Sequence, residues 1–179
     1  MTVACVPLLP LLVVLVTVAF VAYRTQANEV EVRTAAVEIE ASNNLLIALQ
    51  DAQTAARRFV LTADRGPFEM SRHALEQDRA TLLAAAAGET GPVREAAAEM
   101  LGRNDAEAAY LAKYVAAARV GRIELAPTLA ATAHGEQLTA AFRAAKARFD
   151  AMVQSRRRLG REKLVALRKL VLVGLPLVA

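Results

Sequence analysis

Residues 2–23 contain no charged side chain and consist mainly of Leu, Val and Ala. As a helix rising 1.5 Å per residue, this run covers roughly 33 Å, enough to cross a hydrocarbon core of about 30 Å. The run therefore predicts an uncleaved transmembrane helix over residues 1–23. The alternative is a cleaved signal peptide, for which Thr25 and Ala27 offer a small-residue site, but the basic segment that precedes such peptides is missing.

A second charge-free run, LVLVGLPLVA, occupies residues 170–179. Ten helical residues reach only about half the thickness of the hydrocarbon core. The pattern predicts that residues 164–179 are the start of a second, truncated transmembrane helix. The alternative is a short tail that lies on the membrane surface.

The two runs divide the chain into an anchor, a central domain over residues 24–163 and a second membrane segment. We expect both ends on the cytoplasmic side of the inner membrane and the central domain outside the cytoplasm. The positive-inside rule opposes this topology, because all 22 Lys and Arg residues lie between the runs. Long loops, however, translocate largely regardless of their charge.

The basic residues are concentrated near the C-terminal end of the central domain. Residues 143–169 carry 10 Lys and Arg against 2 Asp and Glu. The segment lacks the interleaved aromatic residues, zinc-ligand spacing or helix-turn-helix pattern that would indicate nucleic-acid binding. Because it runs directly into an apolar stretch, we expect it to contact anionic membrane lipid instead.

Apolar residues in the central domain recur with helical spacing, separated by Gly and Pro. The first helix is predicted to continue from the membrane to the Arg65-Gly66-Pro67 break. The second ends before residues 88–92, the third runs from Pro92 to Gly121, and the fourth follows Gly135. The predicted core-facing residues of the four helices are Leu45, Leu49, Ala52, Ala56 and Phe59; Phe68, Leu75 and Leu82; Ala97, Leu101, Asn104, Ala108, Leu111, Val115 and Ala118; and Leu138, Phe142, Ala145, Phe149, Met152 and Leu159.

Four amphipathic helices each need a partner for their apolar face, which an antiparallel bundle supplies. We therefore predict an all-α fold: a membrane-anchored antiparallel four-helix bundle whose long first and last helices are continuous with the transmembrane helices. Ala-rich core positions bury little area per residue, so a second copy packed alongside would add burial. This predicts a homodimer.

Residues 51–64 read DAQTAARRFVLTAD, which resembles the D-A-E-T-x-x-R-G-Y/F-L-L-T-G-D signature of the CHASE type 3 domain. The matching residues are Asp51, Ala52, Thr54, Arg57, Phe59, Leu61, Thr62 and Asp64. The chain departs from the signature at Gln53, Arg58, Val60 and Ala63. The resemblance implies an extracytoplasmic sensory input module of a bacterial signalling receptor, most often a histidine kinase, that responds to an unknown small-molecule or protein stimulus. Its output domain would lie beyond the second membrane helix.

The polar residues singled out by this signature are Asp51, Thr54, Arg57, Thr62 and Asp64. One interpretation is a ligand-responsive network near the end of the first helix. The other is structural, with Arg57 satisfying helix-end carbonyls and Asp64 closing the turn before Pro67. Without an output domain in this chain, a membrane-tethered helical scaffold that binds another protein is the alternative function.

The sequence offers no pattern typical of a catalytic, cofactor or metal site. His73 and His134 are the only histidines and neither has a second ligand at suitable spacing, and Cys5 is the only cysteine. No Ser-His-Asp arrangement or Gly-rich phosphate loop occurs. We therefore expect no enzyme activity and no cofactor from the chain itself.

Overall fold

The computed structural model describes residues 8–120 and 133–174, and every regular element within them is an α-helix. The four helices are α1 (Leu8–Thr62), α2 (Gly66–Ala85), α3 (Gly91–Arg119) and α4 (Ala133–Gly174). They form two compact units, of which the larger comprises residues 37–153 and contains parts or all of the four helices. The predicted all-α fold is confirmed, and the larger unit fits a four-helix bundle.

The core-facing residues predicted for α1 and α2 are all buried. On α1 the spacing of four and three residues continues towards the N-terminus through Ser42 and Glu38, both fully buried. Two polar residues thus occupy positions that an apolar pattern leaves out. The core of the larger unit is therefore partly polar where Ser42 and Glu38 of α1 enter it.

The turn between α1 and α2 lies where Arg65-Gly66-Pro67 predicts a break. The helix α1 ends at Thr62, and Ala63 adopts the left-handed conformation with φ of 55°. Its amide N–H donates to the carbonyl of Phe59 at 2.8 Å, which satisfies one helix-end acceptor. Pro67 then lies in the first turn of α2, where its missing N–H costs nothing.

Contacts between the helices show that sequence neighbours run antiparallel. Arg79 of α2 forms an ion pair with Asp105 of α3, and Arg119, further along α3, approaches Glu69, nearer the start of α2. On α4, Arg148 pairs with Glu99, whereas the earlier Thr139 bonds to the later Glu107 of α3.

α1 and α4 are also antiparallel, although they are the two helices farthest apart in the sequence. Ser42 donates to Asp150 at 2.8 Å, and Gln53 donates to Thr139 at 3.0 Å. As the position advances along α1, its partner moves back along α4. The first and last helices of the unit are therefore antiparallel neighbours.

Two of the predicted core faces differ from those observed. On α3, Ala108 and Ala118 are only half-buried, while Glu107 and Tyr114 are buried instead. The observed face follows Val93, Ala97, Met100, Asn104, Glu107, Leu111 and Tyr114. The observed face is therefore wider than predicted, and five of the seven predicted residues are buried, namely Ala97, Leu101, Asn104, Leu111 and Val115.

On α4, Phe142, Ala145 and Phe149 are buried as predicted, but Met152 and Leu159 are exposed and Val153 takes the core position. The helix also begins earlier than expected, at Ala133, so that Gly135 lies inside its first turn. The preceding residues, 121–132, lie outside the described part of the chain. Gly160 does not interrupt α4.

The smaller unit comprises the described parts of residues 1–36 and 154–179. Within it, Gly160 of α4 lies so close to α1 that an added Cβ atom would come 3.0 Å from Asn28 Oδ1 and 3.3 Å from Glu31 Oε2. Glycine thus permits a close approach of the two helices.

None of the helices, within the residues described, is both long enough and apolar enough to cross a membrane. The predicted anchor lies partly outside that range, since residues 1–7 are not described, and neither are residues 175–179 of the second predicted membrane segment.

Candidate functional site

A cleft of about 510 Å³ lies within the larger unit, between α1, α3 and α4; we call it the α1/α3/α4 cleft. Its size falls in the range of small-molecule sites, roughly 300–1,000 Å³. It lies towards the C-terminal ends of α1 and α3 and the N-terminal end of α4. The lining residues are Gln53, Ala56, Arg57, Glu107, Tyr110, Leu111, Tyr114, Gly135, Glu136, Thr139, Ala140 and Arg143.

One polar network links all three helices at the cleft. Gln53 of α1 donates through Nε2 to Glu107 Oε1 of α3 and, at 3.0 Å, to Thr139 Oγ1 of α4. Thr139 Oγ1 lies 2.7 Å from Glu107 Oε1 and 3.1 Å from the carbonyl oxygen of Gly135. The hydroxyl has one proton, which the shorter contact directs to the carboxylate. Gln53 and Thr139 thus fix one oxygen of Glu107.

The other oxygen, Glu107 Oε2, is buried and has no hydrogen-bond partner among the described residues. Only 2% of the Glu107 surface is exposed, although the residue lines the cleft. Burial raises the pKa of its carboxyl above the ordinary value, while the hydrogen bonds from Thr139 and Gln53 and the charge of Arg143 act against that rise. A buried acceptor without a donor is costly and calls for an explanation.

Two tyrosines of α3 form the aromatic side of the cleft. Tyr114 is buried, and burial raises the pKa of its phenol while the charge of Arg57 opposes the rise. Tyr110 packs edge-to-face against His134, with ring centroids 5.6 Å apart. Gly135 makes room for this ring, since a Cβ atom there would lie 3.2 Å from Tyr110 Cε1.

The exposed charged residues of the cleft lie on α1 and α4. Arg57 of α1 and Arg143 of α4 are exposed and line the cleft, and the exposed Glu136 lies one turn before Ala140. The cleft therefore combines two guanidinium groups, one buried carboxyl with a free oxygen, and two phenol rings. Such a set of groups suits a small ligand with charges of both signs.

The structure does not bring the five predicted polar residues into one network. Asp51 and Thr54 are exposed, and the Thr54 hydroxyl donates to the carbonyl of Gln50, one turn earlier in α1, at 2.9 Å. Arg57 alone lines the α1/α3/α4 cleft. The neighbouring Gln53, at which the chain departs from the family signature, contributes more to the cleft than Asp51 or Thr54.

Thr62 and Asp64 belong to the turn between α1 and α2. The Thr62 hydroxyl donates to the Arg58 carbonyl at 2.9 Å and accepts from the Asp64 amide at 3.3 Å. Asp64 Oδ1 accepts from the Gly66 amide at 3.1 Å. These contacts agree with the structural interpretation of Asp64 as the residue that closes the turn.

Sequence reasoning missed Glu107, Tyr110 and Thr139, which belong to the cleft. Glu107 falls on the core face of α3, at i−4 from Leu111, and that position was the available signal. Within the described parts of the chain, no group of three or more His, Cys, Asp and Glu side chains is arranged to hold a metal ion.

Comparison with known proteins gave no match: neither a family model, nor a curated protein, nor a solved structure is similar to the chain.

Proposed function

We propose that the chain is the extracytoplasmic sensory input module of a bacterial transmembrane signalling receptor, a sensor histidine kinase, and that it passes a stimulus to an output domain by movement of α1 and α4. The resemblance of residues 51–64 to the CHASE type 3 signature motivates this function. The observation that carries it is the continuity of two helices. Both α1 and α4 line the cleft, and both continue without a break, to Leu8 and to Gly174.

A continuous helix is stiff, so a shift or rotation at one end is not lost in a flexible linker. α1 has 55 residues and α4 has 42. A ligand that changes the distance between Gln53 and Thr139 would act on both helices at once. Because both helices continue to the predicted membrane segments, a movement of α1 and α4 at the cleft would be transmitted to the membrane.

The proposed inner-membrane anchor rests on the sequence of residues 2–23 and on the residues at its end. Phe20 and Tyr23 are exposed, and the Arg24 guanidinium lies 5.4 Å from the centre of the Phe20 ring. Aromatic and basic residues typically flank a membrane helix at the interface with water. The basic surface of α4 would contact anionic lipid in the same region.

Helical phase tests the signalling mechanism. One, two, three, four or seven Ala residues are inserted after Met152 in the chain fused to a histidine-kinase output domain, and autophosphorylation is measured. Each residue rotates the downstream helix by about 100°, so seven residues nearly restore the original face and two nearly reverse it. Activity should vary periodically with insertion length and return near wild type at seven. A smooth decline would make α4 a tether and favour the scaffold function.

Cysteine labelling tests the topology. In a Cys5→Ala background, Ala87→Cys or Thr90→Cys places a thiol on an exposed turn between α2 and α3. An extracytoplasmic domain predicts reaction with a membrane-impermeant maleimide in intact spheroplasts. Reaction only after lysis would contradict the proposed location of residues 24–163.

A further inference from the structure

The free oxygen of Glu107 and the two arginines define what the α1/α3/α4 cleft can bind. Glu107 Oε2 is a buried acceptor without a donor, and its partner oxygen is already held by Gln53 and Thr139. A ligand donor with a positive charge would satisfy Oε2 and favour the ionised carboxylate. A primary ammonium group has both properties.

A simple amine, however, would meet the repulsion of Arg57 and Arg143, which line the same cleft and which the single exposed carboxylate of Glu136 offsets only in part. A guanidinium binds a carboxylate best, often through two parallel hydrogen bonds. A ligand that carries a carboxylate beside its ammonium group turns this repulsion into attraction. The phenol rings of Tyr110 and Tyr114 leave an apolar surface for the rest of such a molecule.

We propose that the α1/α3/α4 cleft binds a small amino-acid-like zwitterion, with the ammonium group on Glu107 Oε2 and the carboxylate at Arg57 and Arg143. The volume of about 510 Å³ accommodates a molecule of this size. The ligand would bridge α1, α3 and α4. The proposal deepens the proposed function by naming the class of stimulus, and rests on that function only for its signalling role.

Thermal unfolding of the purified full chain tests binding without an output domain. The common L-amino acids are added singly, and each one that raises the unfolding midpoint is titrated by calorimetry. For every binder, the analogue without the amine and the analogue without the carboxylate are measured alongside. We expect at least one amino acid to bind, and both of its analogues to bind at least about 10-fold more weakly, the effect of losing one charged hydrogen bond.

If no amino acid raises the midpoint, the proposal is wrong. It is also wrong if either analogue binds as tightly as its parent, because the ligand would then be an anion or an amine. These results are independent of signalling. If the chain binds an amino acid but shows no periodic response to Ala insertion, the proposed binding site is supported and the proposed receptor function is contradicted.

Matched variants test the two ends of the ligand. Arg57→Gln and Glu107→Gln should each weaken binding about 10- to 100-fold. Arg58→Gln and Glu95→Gln are the controls, since both residues are exposed and neither lines the cleft, and binding should be unchanged. Equal weakening by Arg57→Gln and Arg58→Gln, or unchanged binding by Glu107→Gln, would overturn the assignment. Arg57 is exposed, so its variant tests the site without disturbing the core.

Discussion

Ala63 has φ of 55°, a conformation that costs a residue with a Cβ atom about 1–2 kcal/mol. Glycine adopts it without that cost but loses more chain entropy on folding. We therefore expect Ala63→Gly to raise the free energy of unfolding by about 0.5–1 kcal/mol, measured by urea denaturation. Ala74→Gly, in the exposed part of α2, is the matched control and should lower it by about 1 kcal/mol. Equal losses in both variants would contradict the strain at Ala63.

The buried carboxyl of Glu107 predicts a pH dependence of stability. Burial raises its pKa above the ordinary 4.5, so the folded state holds the proton more tightly than the unfolded state. The contribution to stability is therefore present below 4.5 and is lost as pH rises through the folded-state pKa. The difference in unfolding free energy between wild type and Glu107→Gln should fall from acidic to neutral pH.

Groups on all three helices line the cleft together with this carboxyl. They are Arg57 on α1, Tyr110 and Tyr114 on α3, and Glu136, Thr139 and Arg143 on α4, with Gln53 donating from α1. Glu95→Gln removes an exposed carboxylate from the same helix and is the matched control. A difference between wild type and Glu107→Gln that rises with pH would mean that the hydrogen bonds from Thr139 and Gln53 and the charge of Arg143 outweigh burial.

At the scale of helices, the sequence predicted α1 and α2 well because their core positions are apolar. Leu45, Leu49 and Phe68 need only helical spacing to be recognised. On α3 five of the seven predicted residues are buried, but the apolar pattern does not identify Glu107, because a charged residue is rarely buried unless it is paired. Burial of that carboxyl depends on Gln53 and Thr139, which lie 54 and 32 residues away in the chain. No local pattern reports such partners.

The candidate site was predicted only in part for the same reason. Arg57 was identified through the family-like signature, and it does line the cleft. The groups that complete the cleft come from α3 and α4, whose register against α1 is set by packing and not by spacing within one helix. Sequences break local rules most often at functional sites, which fits the position of Glu107.

A buried ion pair within α4 lies where that helix contacts α1, and it supplies a prediction about stability. Lys146 is buried and lies 2.5 Å from Asp150, which also accepts from Ser42. Asp150→Ala would leave the ammonium group unpaired, and we expect it to lower the unfolding free energy by about 2 kcal/mol. Replacing both residues, Lys146→Met with Asp150→Ala, should cost less than the single change.

The exposed pair between Arg148 of α4 and Glu99 of α3 is the control. Arg148→Ala should cost less than about 1 kcal/mol, because water screens exposed ion pairs. The three variants and the wild type are compared by urea denaturation. A double substitution that costs as much as Asp150→Ala would show that packing, and not the unpaired charge, determines the loss.

At the scale of the whole molecule, the proposed homodimer needs an apolar surface. Ile47 and Leu61 are exposed on α1, 55% and 85% respectively, and lie on one face because 14 residues make nearly four turns. We expect residues 28–163 to be helical and to self-associate through this face. Ile47→Glu or Leu61→Glu should weaken the association by about 10-fold or more, measured by sedimentation equilibrium.

Met70→Glu on α2 is the matched control, since Met70 is also an exposed apolar residue, at 70%, but lies outside α1. Its variant should associate as wild type. A wild-type segment that stays monomeric at high micromolar concentration would contradict the proposed homodimer.

The pairing of α1 with α4 also affects how the chain is made. Ser42 and Asp150 are 108 residues apart, so the core face of α1 leaves the ribosome long before its partner does. At about 5–20 residues per second, the interval is roughly 5–20 s. α2 and α3 are neighbours in sequence and can pair within that time. During biosynthesis, α1, α2 and α3 are therefore all available before α4, whose hydrogen bonds with Ser42 and Gln53 form last.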